Sequence, residues 1–109
     1  MAKWDEHLAI YDQLVDLSPR FERKGKSVPY TSANGYMFSI LNKDAELGIR
    51  LYKESGERFK EEHKTTIFKS HGAVMKDYVL IPDAMLDDLE TLAVYLNEAY
   101  DHVMSLEPK

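Results

Sequence analysis

Four histidines, a serine beside one of them, a run of acids and a cluster of bases are the residues of this chain that could do chemistry. The histidines are His7, His63, His71 and His102, and no two stand at the i, i+4 spacing of a helical metal motif. The chain has no cysteine, so thiol chemistry and Cys-ligated zinc are excluded. The histidines read as scattered, and neither a metal nor a cofactor is expected. Ser70, His71 and Gly72 set a hydroxyl beside an imidazole. Sequence neighbours seldom meet as nucleophile and base, and no G-x-S-x-G elbow surrounds them, so the tripeptide reads as a turn. Asp87, Asp88 and Glu90 form an acidic run. Glycosidase-type work needs two carboxylates facing across a cleft. Acids in the first turns of a helix are what the helix dipole favours. No catalytic residue is assigned, and the chain reads as non-enzymatic.

The bases are more informative. Arg20, Arg23, Lys24 and Lys26 lie close together, and Arg50 falls on the polar face of a strand. Together they are a candidate interaction patch for carboxylates or phosphates, set against the plainer reading of a solvated loop. Residues 1–19 carry one base and four acids, 20–69 eleven bases and seven acids, and 70–109 two bases and eight acids. The middle is therefore basic and the ends acidic. The net charge of −5 argues against a nucleic-acid binder driven by bulk charge. Contact with a single strand would need exposed aromatics, for which Tyr30, Tyr36 and Tyr52 are the neighbours in sequence. An acidic protein partner suits the patch better.

These residues must be positioned by the elements around them. Asn34-Gly35 is a two-residue hairpin turn, because both residues tolerate positive φ. Residues 36–41 follow as a strand with Tyr36, Phe38 and Ile40 on one face and Met37, Ser39 and Leu41 on the other. Asn42, Lys43 and Asp44 make a second turn. Residues 46–51 alternate strictly, Leu47, Ile49 and Leu51 against Glu46, Gly48 and Arg50, the pattern of a half-buried antiparallel strand. An open opposite face would leave Met37 and Leu41 for self-association, as in a homodimer. A terminal helix would cover them instead.

Before the hairpin, Trp4, Leu8, Tyr11 and Val15 mark a helix over 2–17, stopped by Ser18-Pro19. Residues 27–32 are extended, and Pro29, which cannot donate a ladder hydrogen bond, makes them an edge strand or a strand ending near Pro29. After it, Ser55 is the expected cap of a surface helix over 56–63, pinned by Phe59 alone. A short strand or extended link is expected over 65–68 and an interior strand over 76–81. Asp83 is the expected cap of a long last helix whose stripe runs through Leu86, Leu89, Leu92, Leu96, Tyr100, Val103 and Leu106. The order is α-β-β-β-α-β-β-α, an α+β fold in two layers with an antiparallel sheet packed by helices. At 109 residues the chain reads as one domain. No apolar run approaches the roughly 20 residues of a membrane span, and no signal core opens the chain, so a cytoplasmic protein without membrane contact is expected.

The segments GKSVPYTSANGYMFSILNK, AELGIRLYKE and FKSHGAVMKDYVLIPDAML resemble the TfoX N-terminal domain family, also called TfoX/Sxy-like proteins. The likeness covers nearly the whole chain, the terminal helices matching in position more than in letters. It implies a fold similar to the secretion-chaperone-like α+β folds, which often pair as dimers. Named members of that family regulate natural competence with the cyclic-AMP receptor protein and carry a helical C-terminal domain as well. This chain is expected to be a stand-alone N-terminal domain, 1–109, acting as a regulatory or protein-interaction domain. The alternative is a small-molecule binding protein or minor enzyme with a pocket between the C-terminal helix and the sheet.

Overall fold

The computed structural model describes residues 3–25, 27–70 and 72–108. It is an α+β fold with three helices and a five-stranded antiparallel sheet. The elements are α1 (Lys3–Asp16), β1 (Tyr30–Ala33), β2 (Tyr36–Leu41), β3 (Leu47–Arg50), α2 (Lys53–Glu62), β4 (Ile67–Ser70), β5 (Ala73–Leu80) and α3 (Leu89–Met104), with a 3₁₀ turn at Asp83–Asp87. The sheet order is β1-β2-β3-β5-β4, so β1 and β4 are edges and β5 is interior. The element order is the one the sequence predicts.

Asn34 and Gly35 take φ of 57° and 83° and join β1 to β2, as the hairpin requires. The Asn34 side chain also donates to the carbonyls of Val103 and Leu106, at 2.9 and 2.8 Å, tying the turn to the end of α3. All three helices feed one core on one face of the sheet. Tyr11 and Leu14 come from α1, Phe59 from α2, and Leu92, Leu96, Ala99 and Val103 from α3, against Leu47, Ile49 and Leu51 of β3 and its end. A smaller core of Ile40, Phe68 and Tyr78 lies on the other face. Val28, Tyr30, Met37 and Met75 close around it.

Two bulges depart from simple alternation. Thr31 pairs with Ser39 but Ser32 pairs with Met37, so Phe38 is an extra residue in β2. A bulge shifts the phase of the side chains beyond it. Leu41 therefore joins Phe38 in the helix-side core and Ile40 joins Met37 on the other face, correcting the expected split. Leu41 is covered by the helices and unavailable for self-association. Ser39 also turns to the helix side, where its hydroxyl shares a 2.5 Å hydrogen bond with Tyr11 and a second one with Thr31. The second bulge is wider. Ile67 pairs with Val79 and Lys69 with Val74, so Phe68 alone opposes residues 75–78 of β5. Asp77 within it has φ of 70°. The bulge lets β4 bend so that Phe68 lies on Gly48, where a Cβ would sit 2.6 Å from its ring.

The helix ends differ from expectation. Helix α2 starts at Lys53 rather than 56, its capping residue is Tyr52, and Ser55 lies inside it. Asp83 opens the 3₁₀ turn, and Asp88 caps α3, accepting from the Thr91 amide at 3.3 Å. Strand β4 is displaced to Ile67–Ser70, and β5 begins earlier, at Ala73.

Candidate binding groove

The structure scatters most of the residues singled out in the sequence. Arg20 reaches α3, paired with Asp101, bonded to Asn97 at 3.3 Å and stacked 4.3 Å from the centre of the Tyr100 ring. Arg23 turns back to α1, with Nε 2.7 Å from Asp12, and donates to the Gly25 carbonyl at 2.6 Å. Lys24 bridges to the β1 edge through its backbone with Tyr30 and through its ammonium, 3.2 Å from Ser32. Lys26 lies outside the described residues, as does His71. Arg50 sits apart from the connector, its guanidinium 5.6 Å from the Tyr36 ring centre. Arg20, Arg23 and Lys24 thus fasten the connector to α3, α1 and β1 in turn.

The remaining candidates are also tied into structure. His7 donates from Nδ1 to the Ala45 carbonyl at 2.6 Å. His63 lies against the Phe59 ring, 4.5 Å between centres. His102 packs tilted against Tyr52, 4.3 Å between ring centres, and its desolvation, with Arg50 nearby, holds its pKa below the ordinary 6.5. Among the described residues no three His, Asp or Glu side chains converge as a metal cage. Asp88 of the acidic run is occupied as the α3 cap, its second oxygen accepting from the Thr91 hydroxyl at 2.7 Å. Tyr30 packs into the smaller core, the Tyr36 hydroxyl donates to the Glu107 carbonyl at 2.8 Å, and Tyr52 lies on α2's border, so the three tyrosines form no common platform. The face of α3 toward the sheet is filled, Leu92, Leu96, Ala99 and Val103 being 0% exposed.

Open space lies instead between α2 and the β4–β5 hairpin. A cavity of about 270 Å³ is bounded there by Tyr52, Lys53, Gly56, Glu57 and Lys60 on one side. Ile67 and residues 74–79 bound it on the other. Each wall follows from local sequence. Helix α2 has one large apolar anchor, Phe59, which meets Tyr95 of α3 edge-on at 4.8 Å. One anchor draws in one flank of the helix and leaves the other standing off the sheet. Gly56 faces β5 with Val79 the nearest contact, 3.5 Å from where a Cβ would be. On the opposite side the wide bulge leaves residues 75–78 of β5 out of register with β4, while Tyr78 keeps its pairing with Arg50 of β3. The Asp77 carbonyl still accepts from Leu51 at 3.1 Å, so the bulge remains anchored to the end of β3.

The walls are apolar and exposed. Val74 is 57%, Tyr52 39% and Ile67 38% exposed, and all three border the same cavity. No nucleophile with an adjacent base lies on it; its chemistry is an apolar floor with ammonium groups at the rim. No family model matches the chain, and no curated protein matches it.

Proposed function

We propose that the chain is a non-enzymatic protein-interaction domain that works through the groove between α2 and the β4–β5 hairpin. The observation carrying this reading is the gathering of Val74, Tyr52 and Ile67 around one cavity while partly open to water. Single exposed apolar side chains are ordinary, whereas several around one groove are what a partner covers. The resemblance to the TfoX N-terminal domain supports the same reading, since the named members of that family are regulators. The connector is a less suitable surface than its charge suggests, because Arg20 and Arg23 already hold Asp101 and Asp12.

The test is affinity capture from the source lysate with three baits: wild type, Val74→Asp and Lys24→Glu. Captured proteins would be identified by mass spectrometry and the strongest re-bound in purified form. The expected result is a partner retained by wild type and Lys24→Glu and lost by Val74→Asp. Retention by Val74→Asp together with loss by Lys24→Glu would move the interaction surface to the connector.

A further inference from the structure

The groove carries a sign as well as a shape. Lys53 and Lys60 of α2 and Lys76 of the β5 bulge stand on its rim. None of them takes part in an ion pair among the described residues, whereas Lys3, Arg20 and Arg23 all do. Two acids, Glu57 and Asp77, share the same walls, so three lysines stand against two carboxylates around the groove. In a chain of net charge −5, a rim with more cations than anions around an apolar floor stands out from the rest of the surface.

Size bears on what binds. Small-molecule sites commonly run from about 300 to 1,000 Å³ and bury most of their ligand. This cavity, near 270 Å³, lies below that range and is open along one side. It suits one or two side chains of a longer molecule. Gly56 fits the same use. A mid-helix glycine weakens a helix, and here a Cβ would meet nothing closer than 3.5 Å, so packing alone gives no reason for it. Its missing side chain deepens the floor.

We propose that the groove takes an acidic peptide segment, seating an apolar side chain between Gly56 and Val74 with carboxylates on Lys53, Lys60 and Lys76. This deepens the interaction reading above and rests on it. Carboxylates placed around an apolar anchor match the rim and select against basic segments.

The experiment is an amide-resolved NMR titration of the isotope-labelled full chain with short synthetic peptides. One set carries leucine or phenylalanine flanked by aspartate and glutamate, and its counterpart carries lysine at the flanking positions. The acidic set should bind and shift the amides of Tyr52, Gly56, Val74, Met75 and Lys76, while the lysine set does not. The triple variant Lys53→Glu/Lys60→Glu/Lys76→Glu, with Lys53 and Lys76 exposed and Lys60 half-buried, should weaken binding by about tenfold or more, the loss of three ion pairs. Its spectrum without peptide checks the fold. Equal binding of the lysine set, or shifts confined to residues outside the groove, would overturn the acidic-peptide assignment. So would octanoate binding as tightly as the peptides, which would make the site one for small amphipathic anions. If no peptide binds while Val74→Asp still loses its captured partner, this proposal falls and the interaction reading stands. If neither is seen, both fall.

Discussion

Tyr11 reaches from α1 to the sheet and ends in a buried chain of hydroxyls with Ser39 and Thr31. Burial pushes its phenol pKa well up, so it remains a neutral donor or acceptor. Tyr11→Phe removes one link while Ser39 and Thr31 keep each other, and a loss of about 1–2 kcal/mol is expected. Urea unfolding should show a lower midpoint at unchanged slope; an unchanged midpoint would deny the chain a role in stability. His102 gives a second prediction. Tyr52, Arg50, Asp77 and Glu98 surround it, and desolvation with the Arg50 charge outweighs the two acids, leaving its pKa lowered. A lowered folded-state pKa means the unfolded chain binds the proton more readily. The stability associated with the neutral imidazole is therefore complete above pH 6.5 and declines as pH falls through and below it. His102→Gln should flatten the decline of melting temperature between about pH 7.5 and about pH 5.5 relative to wild type. A steeper decline in the variant would reverse the sign. None of these contacts is visible in the sequence, where Tyr11 is one more member of an apolar stripe and His102 one of four histidines.

At the scale of elements, the strands bend because of glycine and bulges. Gly48 leaves room for Phe68 to lie across the sheet, and an added Cβ would come 2.6 Å from the ring. Gly48→Ala should destabilise by about 1–3 kcal/mol through overpacking. Combined with Phe68→Leu, the two losses should be less than additive in thermal unfolding, because the second change relieves the first. Gly56→Ala should do the opposite. With open van der Waals room beside Val79, it should stabilise by about 0.5–1 kcal/mol, measured as a raised midpoint in denaturant. A destabilised Gly56→Ala would mean the helix is closer to the sheet than the cavity requires. The chain order of helices and strands and the hairpin are legible because Asn34-Gly35 and the Leu47/Ile49/Leu51 alternation are local signals, whereas the order of strands in the sheet is not. Nor are the bulges. An extra residue at Phe38 changes the phase of everything after it without changing any residue's propensity, so Leu41 was read onto the wrong face. The same holds for β5, where apolar residues in both phases hid a wide bulge behind the look of an interior strand. Ser55 is a good cap by type, yet α2 begins two residues before it, with Tyr52 in the capping place and no side-chain cap bond.

For the molecule as a whole, the placement of charge separates scaffold from surface. The arginines of the connector hold α1 and α3 through Asp12 and Asp101. The lysines of α2 and the β5 bulge form no ion pair among the described residues and stand around exposed apolar side chains. In sequence both groups belong to one basic middle segment, and only the fold tells them apart. The connector bases cluster in the sequence. Lys53, Lys60 and Lys76 are spread over two elements and meet only because α2 crosses β5. The central claim is that the groove, and not the connector, is the binding surface. Its most direct test is the amide-shift map of the full chain on adding its captured partner, or an acidic apolar peptide in the partner's place. The account predicts shifts that trace Tyr52, Gly56, Val74 and Lys76 and vanish with Val74→Asp. Shifts that trace Arg20, Arg23 and Lys24 while the groove stays silent would contradict it.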